Sequence, residues 1–407
     1  MLLKKGNILL TIFTALAIII SGFFISSCGE TQKSEEVKQS EKTEQADQAA
    51  ETEEQIEDKE SIKIGVIGAH SGDLASYGIP TINAATIIVE KYNAQGGING
   101  RSIEIIVEDD GCKPEMATSA AVKVVGEKVN SVIGHICSGA TKAAIGIYKE
   151  SNIITISPSA TNPPLTQSGE YPNFFRTIAS DDAQAKLEVD FVLDVLNLTK
   201  IAIIHDKGDY GKGFAEFVKQ FLENDQRAEV VLYEGITPGA VDYSAIVNKI
   251  KESEAEAIIY GGYHPEASKI VTQIRKKNMK TVFVSDDGVK DETFIKVAKE
   301  YAEGVYATGP MDTSSNPLTI EAIKEHEAKY GEYPGAFYLN AYAAMLALLN
   351  AYEVSNSIEY DDIVQTLRTE YVDTPLGKIS FDEKGDAIGI GFSMYQVKEG
   401  RFVEIKQ

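Results

Sequence analysis

The sequence predicts an α/β fold built from two doubly wound, mostly parallel sheets. From residue 61 onward, short apolar runs alternate with stretches of helical period, and repeating βα units of this kind bury a parallel sheet on both faces. The alternation breaks once, over NPPLTQSGEYPNFFRTIASDD (162–182), and a second series follows. Length agrees: of 407 residues about 347 lie beyond the N-terminal segments, enough for two lobes at roughly 150 residues each.

Residues 1–27 are expected to be a processing segment. Lys4 and Lys5 form a short positive region, and Ile8 to Ile25 is an apolar run. It ends in ISSCG, and small residues before a cysteine resemble a bacterial lipobox, which makes Cys28 a candidate lipidation site. An uncleaved membrane anchor is the other reading, and both export and tether the chain. Residues 28–60 are then a tether. Positions 29–60 carry a net charge of about -8 and two β-branched apolar residues, too little apolar surface to fold alone.

The elements follow in order. SIKIGVIGAHSG (61–72) reads as a first buried strand that breaks at glycines, and residues 79–94 as a helix stopped by QGGING. RSIEIIVEDDGC (101–112) is the second strand, 114–128 a helix opened by Pro114, and VNSVIGHIC the third strand. GATKAAIGIYKES is a helix and NIITISPS the fourth strand. The second series runs from a helix at 183–198 through strands KIAIIHDK, AEVVLYEGI, AEAIIYGG and TVFVSDDG with helices between them. A long apolar helix (335–353), another near 360–370 and short strands close the chain.

Composition excludes some functions. A net charge of -22 with no basic patch argues against nucleic acid. GDYGKG (208–213) opens a helix after a strand, but its glycines are spaced GxxGxG rather than GxGxxG, so no dinucleotide cofactor is expected. The five histidines show no i, i+4 ligand spacing, so no metal is expected either. There is no GxSxG elbow. His135 and Cys137 share a strand face at i, i+2 and suggest a thiol nucleophile with its base. The competing reading is a disulfide. If Cys28 carries lipid, Cys112 and Cys137 remain as a pair in an oxidising compartment. Asp109–Asp110 and Asp286–Asp287 are paired acids at strand ends, suited to catalysis, to capping or to a ligand.

Binding uses these loops more economically. Ser138 opens a helix with a hydroxyl, a free N–H and the positive helix end, which suits a carboxylate. Ser159 and Thr161 add hydroxyl groups at the next strand end, and the second series offers Tyr210, Tyr263 and Asp287. Such a cup takes a small zwitterion: donors for the carboxylate, an acid for the ammonium.

An ordered set of motifs extends this reading: GAHSG with Tyr77-Gly78, NAQGGINGR, DDGC, VIGHICSGAT, ISPSATNPPLT, IAIIHD, DYGKG, EGITPG, IIYGGYHPE, DDGV and FDEKGD. Over residues 61–407 the chain resembles the branched-chain amino acid (leucine/isoleucine/valine) binding proteins of bacterial ABC transporters. The resemblance implies a type I periplasmic binding protein fold, with two lobes joined by three hinge crossings near residues 179, 310 and 391. Lobe one is then 61–179 plus 310–391, and lobe two 180–309 plus 392–407. It implies that Ser138 and Thr161 hold the ligand carboxylate, and that Thr161 and a carbonyl near Ser159 or Ala160 also meet the ammonium. Asp287 meets that ammonium from the opposite lobe, Tyr77, Tyr210 and Tyr263 line or close the cleft, and Cys112 pairs with Cys137. It further implies ABC permease subunits as partners, on the periplasmic or cell-surface side of the membrane. The family usually has Glu where this chain has Asp287, one methylene shorter. Two other functions fit the loops less fully: a lipid-anchored sensor for an amide, urea or aromatic acid, and a surface hydrolase.

Overall fold

The computed structural model describes residues 59–406. The expected signal peptide and Cys28, and nearly all of the expected tether, lie outside the described residues. Among the described residues no helix is long and apolar enough to cross a membrane.

The first sheet has the order β2-β1-β3-β4-β5, every pair parallel. β1 (Ile62–Gly68) is an interior strand buried on both faces, as the continuous run IKIGVIG requires. β2 (Ile103–Asp109) forms an edge and is only partly covered. β3 (Ser131–Gly134), β4 (Ile154–Ser157) and β5 (Phe174–Arg176) complete it. The connecting helices are α1 (Ala75–Ala94), α2 (Pro114–Gly126), α3 (Ser138–Glu150) and the single turn α4 (Pro164–Gln167).

The second sheet has the order β14-β13-β10-β9-β8-β6-β7. α5 (Asp181–Asp190), continued by a π turn to Val195, leads into β6 (Lys200–His205) and α6 (Asp209–Asn224). β7 (Glu229–Gly235), α7 (Ser244–Glu252), β8 (Ala257–Gly261), α8 (His264–Lys276) and β9 (Val282–Ser285) follow. α9 (Glu292–Ala298) precedes β10 (Tyr306–Pro310). The chain then returns to the first sheet through α10 (Pro317–Tyr330), α11 (Tyr338–Ser355), α12 (Tyr360–Thr369) and the hairpin β11–β12 (Val372–Thr374, Gly377–Ile379). It recrosses to add β13 (Phe392–Lys398) and β14 (Arg401–Glu404) antiparallel to the second sheet. Thus three segments pass between the sheets: Thr177–Ser180, the stretch after Pro310, and the stretch before Phe392.

α11 is apolar around its whole circumference and packs into the core against α1 and β4, so no polar face is needed. Three expectations need correction. The third strand stops at Gly134 rather than running to Cys137, so His135 and Cys137 are loop residues and share no strand face. The prolines of 162–182 mask a fifth strand: FFR (174–176) joins the sheet although it is only three residues long. α10 also forms where no helix is expected. Its apolar period is weak, and it is set instead by Asn316, whose side chain accepts from Leu318 N–H at 3.0 Å, and by Pro317 in the first turn.

Candidate functional site

The loops at the carboxyl ends of both sheets face each other, and within each lobe a glycine sets how closely a helix packs on its loop. A Cβ on Gly78 would lie 1.9 Å from the Ala69 carbonyl oxygen, so only glycine lets α1 press on the loop after β1 and aim Tyr77 across the cleft. Gly211 does the same for α6 against the end of β8, where a Cβ would meet the Gly261 oxygen at 2.3 Å, and this seats Tyr210.

On the first lobe, Ser138 is the first residue of α3, and its Oγ accepts from Asn162 N–H at 3.3 Å. Ser159 Oγ donates to the Ile136 carbonyl at 2.8 Å. Beneath them Ser157 pins the loop: its Oγ donates to the His135 carbonyl at 2.6 Å and accepts from Ala160 N–H at 2.9 Å. On the second lobe, Tyr210 Oη donates to Asp287 Oδ1 at 2.5 Å and accepts from Gly288 N–H at 2.9 Å. The neighbouring acid is used differently: Asp286 Oδ2 accepts from Gly262 N–H at 2.7 Å and serves the turn.

The two sides meet. Tyr77 Oη donates to the Gly288 carbonyl at 2.6 Å, so the His264 Nδ1 at 2.6 Å donates to Tyr77. Burial lowers the His264 pKa and keeps its ring neutral for that role. Lys142 Nζ reaches Asp209 Oδ1 at 2.6 Å, and Asn162 Nδ2 donates to the Asp209 carbonyl at 2.5 Å. Between the lobes, Tyr77, Ser138, Ser159, Tyr210, Tyr263 and Asp287 line a small pocket, with Ile136, Gly288 and Phe337 completing the wall.

Ala160 and Thr161 stand behind that wall. The Ala160 carbonyl faces Arg176 Nη1 at 3.3 Å, and Thr161 Oγ1 is buried with no partner among the described residues. Cys137 is bonded to Cys112, with Cα atoms 5.4 Å apart. That removes its thiol as a nucleophile. His135 is likewise committed, with Nδ1 on Asp110 Oδ2 at 2.5 Å and Nε2 on Tyr148 Oη at 2.8 Å, all three side chains buried.

Four acids crowd this region. Asp181, Glu188, Asp286 and Asp287 are all essentially unexposed. Burial pushes each carboxyl upward. Their mutual charges add to the rise for Asp181, Glu188 and Asp286, while the Tyr210 bond partly holds Asp287 down. Both oxygens of Asp181 and Oδ2 of Asp287 have no hydrogen-bond partner among the described residues. Lys290, a cation near Asp287, is partly buried, and desolvation lowers its pKa. An unpaired buried carboxylate is costly, so this is an arrangement that a positive group between the lobes would stabilise.

The family model for periplasmic binding proteins matches residues 61–401. The chain belongs to that family. The Leu/Ile/Val-binding protein of Escherichia coli is 37% identical over 336 residues, covering 83% of this chain and 90% of that protein. The leucine-, isoleucine-, valine-, threonine- and alanine-binding protein of Pseudomonas aeruginosa is 33% identical, covering 85% and 93%. Among solved structures, the branched-chain amino acid transporter substrate-binding protein of Streptococcus pneumoniae in complex with isoleucine aligns with a TM-score of 0.76 and 30% identity. It covers 85% of this chain and all of that one. The type I periplasmic binding protein fold predicted from the sequence is the observed one.

Within this family fold, sequence reasoning missed four contributors. Asp181, Gln184 and Glu188 lie on one face of α5 at i, i+3, i+7, and that spacing of polar residues at a crossing was the available signal. Arg176 had none, because it sits in a three-residue strand behind a proline-rich stretch and its acid, Asp386, lies far along the chain. Its guanidinium holds the carbonyls of Thr161 (2.7 Å) and Asn162 (3.1 Å), Thr166 Oγ1 (2.8 Å) and Asp386 Oδ1 (2.5 Å).

Proposed function

We propose that the protein captures an aliphatic amino acid, of the branched-chain kind, by closing its two lobes, and delivers it to the permease of an ABC importer. The observation that carries this is the unpartnered buried Oδ2 of Asp287, which lines a cavity that Ser138 at the N-terminus of α3 also lines, with the unpartnered carboxyl of Asp181 buried behind the wall. Asp181, Asp287 and Thr161 take the ammonium. Ser138 and the free N–H groups of the α3 first turn take the carboxylate. The side chain lies among Tyr77, Ile136, Tyr210, Tyr263 and Phe337. The leucine, isoleucine and valine for which the Escherichia coli relative is named agree with this chemistry.

In this reading the lobes are residues 61–179 plus 310–391 and 180–309 plus 392–407, moving about the three crossings. Ligand favours the closed state only through its higher affinity for that state. Aspartate in place of glutamate at 287 is accommodated because Tyr210 and the Asp287–Val289 turn bring the carboxyl to the cavity wall.

The test is calorimetry and thermal shift on the purified full chain with amino acids, amides, urea and aromatic acids. Leucine, isoleucine or valine at 100 times its Kd should stabilise by about 2.7 kcal/mol. A response to an amide or benzoate with none to branched-chain amino acids would sink the proposal, and turnover of any ligand would sink binding as the function.

Proton linkage gives a second expectation. The ligand-free protein holds protons on Asp181 and Asp287 more tightly than the unfolded chain does, since burial raises both. Their contribution to stability is therefore fully present at or below the ordinary carboxyl range near pH ~4 and is lost as pH rises through the raised values. An ammonium ligand holds both groups ionised. Binding within that window should release protons, seen as a binding enthalpy that varies with the ionisation enthalpy of the buffer. A buffer-independent enthalpy throughout the window would contradict the ammonium assignment.

The lipobox at Ile25–Gly29 extends the proposal to a lipid-anchored protein on the outer side of the membrane. Cys28→Ser should move the protein from the membrane to the soluble fraction. Identical fractionation of parent and variant would reject the anchor.

A further inference from the structure

Behind the cavity wall, three polar side chains meet where the first crossing enters the second sheet's lobe and the second crossing leaves it. Gln184 and Glu188 stand one turn apart on α5, Thr308 lies on β10, and all three are fully buried. Thr308 joins the other two: its Oγ1 accepts from Gln184 Nε2 at 2.8 Å and donates to Glu188 Oε1 at 2.9 Å. The amide and the carboxyl therefore sit against one hydroxyl. Their other oxygens, Gln184 Oε1 and Glu188 Oε2, have no donor among the described residues. Buried acceptors are rarely left open, and two together are costly.

A single proton answers both. An ionised carboxylate only accepts, whereas a carboxylic acid has one O–H to give. On Oε2, that O–H can reach Gln184 Oε1 one turn back on α5, which closes a ring through Thr308 in which every donor has an acceptor. The surroundings favour the proton. The charged side chains that bear on Glu188 are Asp181 on α5 and Asp286 and Asp287 after β9, all acids. β10 supplies the neutral Thr308, and α6 and β13 pack on α5 through apolar residues such as Phe214 and Met394. Burial pushes the Glu188 pKa well up, the Thr308 bond partly offsets the rise, and Asp287 and Asp181 add to it. The ring also touches the ligand site. Burial raises the Asp287 pKa, and Tyr210 and the Gln184 amide partly offset that rise.

We propose that Glu188 is a positioning residue that works in its protonated form: its O–H holds Gln184 Oε1, so that the Gln184 amide keeps one N–H on Thr308 and turns the other toward Asp287, the acid that meets the ligand ammonium. The inference rests on the amino-acid reading above and adds the group that sets the state of its acid. Were Glu188 ionised, the amide would turn its N–H groups to that carboxylate and its oxygen to Asp287. Ligand tightens the hold on the proton. Binding brings one ammonium and ionises both Asp181 and Asp287, so the charge around Glu188 becomes more negative. Leucine affinity should therefore fall as pH rises through the Glu188 value. The same proton supports the ligand-free fold: its contribution is fully present below the ordinary carboxyl range and is lost as pH rises through the raised value.

The test uses the full chain with Glu188→Gln and Glu188→Leu. Infrared spectra at neutral pH, without ligand and with leucine, should show a protonated-carboxyl band in the parent that is weaker in Glu188→Gln in both states. Glu188→Leu should weaken leucine binding by about tenfold or more, since the Gln184 amide loses its hold. Glu188→Gln offers an N–H in place of the O–H and should bind leucine more tightly than Glu188→Leu. The Kd of Glu188→Gln relative to the parent should fall as pH rises, a ratio in which the titration of leucine itself cancels. The proposal is overturned if Glu188→Gln leaves the carboxyl band unchanged, if it binds leucine no better than Glu188→Leu, or if the Kd ratio does not vary with pH. Should Glu188→Leu fail to fold, the infrared comparison and the pH profile of Glu188→Gln decide. A parent that binds no amino acid overturns the amino-acid reading instead, and the ligand-free infrared comparison still shows whether Glu188 carries the proton.

Discussion

Asp287→Ala is expected to lose amino-acid binding by about 3–5 kcal/mol, two to nearly four decades in Kd, because removing one partner of a buried ion pair leaves the other uncompensated. The geometry places the loss toward the lower end of that range. Asp181 remains behind Thr161 with both carboxyl oxygens unpartnered among the described residues, so the stranded ammonium keeps one acid. The double variant Asp181→Asn/Asp287→Asn should therefore fall well below either single one. Asp287→Asn separates charge from shape, since it keeps the size of the side chain and a group able to pair with Tyr210. Stability without ligand should move the other way. Asp287 stands among Asp181, Glu188 and Asp286, and its charge adds to the strain on their ionised forms. The ligand-free melting temperature of Asp287→Ala should therefore hold or rise while binding collapses. An Asp287→Ala protein that binds leucine as tightly as the parent would remove this residue from the site. One that simply melts early would make it structural.

Arg176→Met is expected to destabilise the folded chain by on the order of 3 kcal/mol. Arg176 is fully buried at the end of β5, just before the first crossing. Its ion-pair partner Asp386 lies just before the third crossing and is partly exposed. One guanidinium therefore ties two of the three hinge segments together while holding the loop that carries Ala160, Thr161 and Asn162. Methionine fills much of the space but strands the carbonyl groups and the Thr166 hydroxyl. Arg176→Lys should recover little, because an ammonium lacks the planar fork that reaches several acceptors at once. The cost should appear as a melting temperature lower by about 6 °C or more. Leucine binding should weaken too, since Thr161 and Asn162 are no longer fixed beside Ser138. Melting within 1–2 °C of the parent, on a scale where each kcal/mol moves it by about 2–4 °C, would mean that the hinge carries this network at no cost.

These two residues mark the limit of sequence reading. Asp287 was legible because it closes a strand run in a βα series, and because DDGV stands in order with the other motifs. Arg176 was not, because FFR hides between prolines and its acid lies 210 positions away. The same contrast separates Ser138 from Asp181. A serine opening a helix is a local pattern, whereas Asp181 becomes a candidate for the ammonium only when the crossing folds it against Thr161, whose carbonyl takes the Asp181 N–H at 3.0 Å.

By itself the sequence determined the α/β class, two series of units and the serine at the head of α3. Each of these follows from hydrophobic period or local backbone geometry, which neighbouring residues dictate. Tertiary structure decided the rest: which aspartate of the 286–287 pair faces the cavity, where α5 places its acids, and that Cys137 and His135 are held rather than reactive. Those outcomes depend on burial and on partners from distant parts of the chain. In a low-dielectric interior it is the partner, more than the residue type, that sets the energy of a charge.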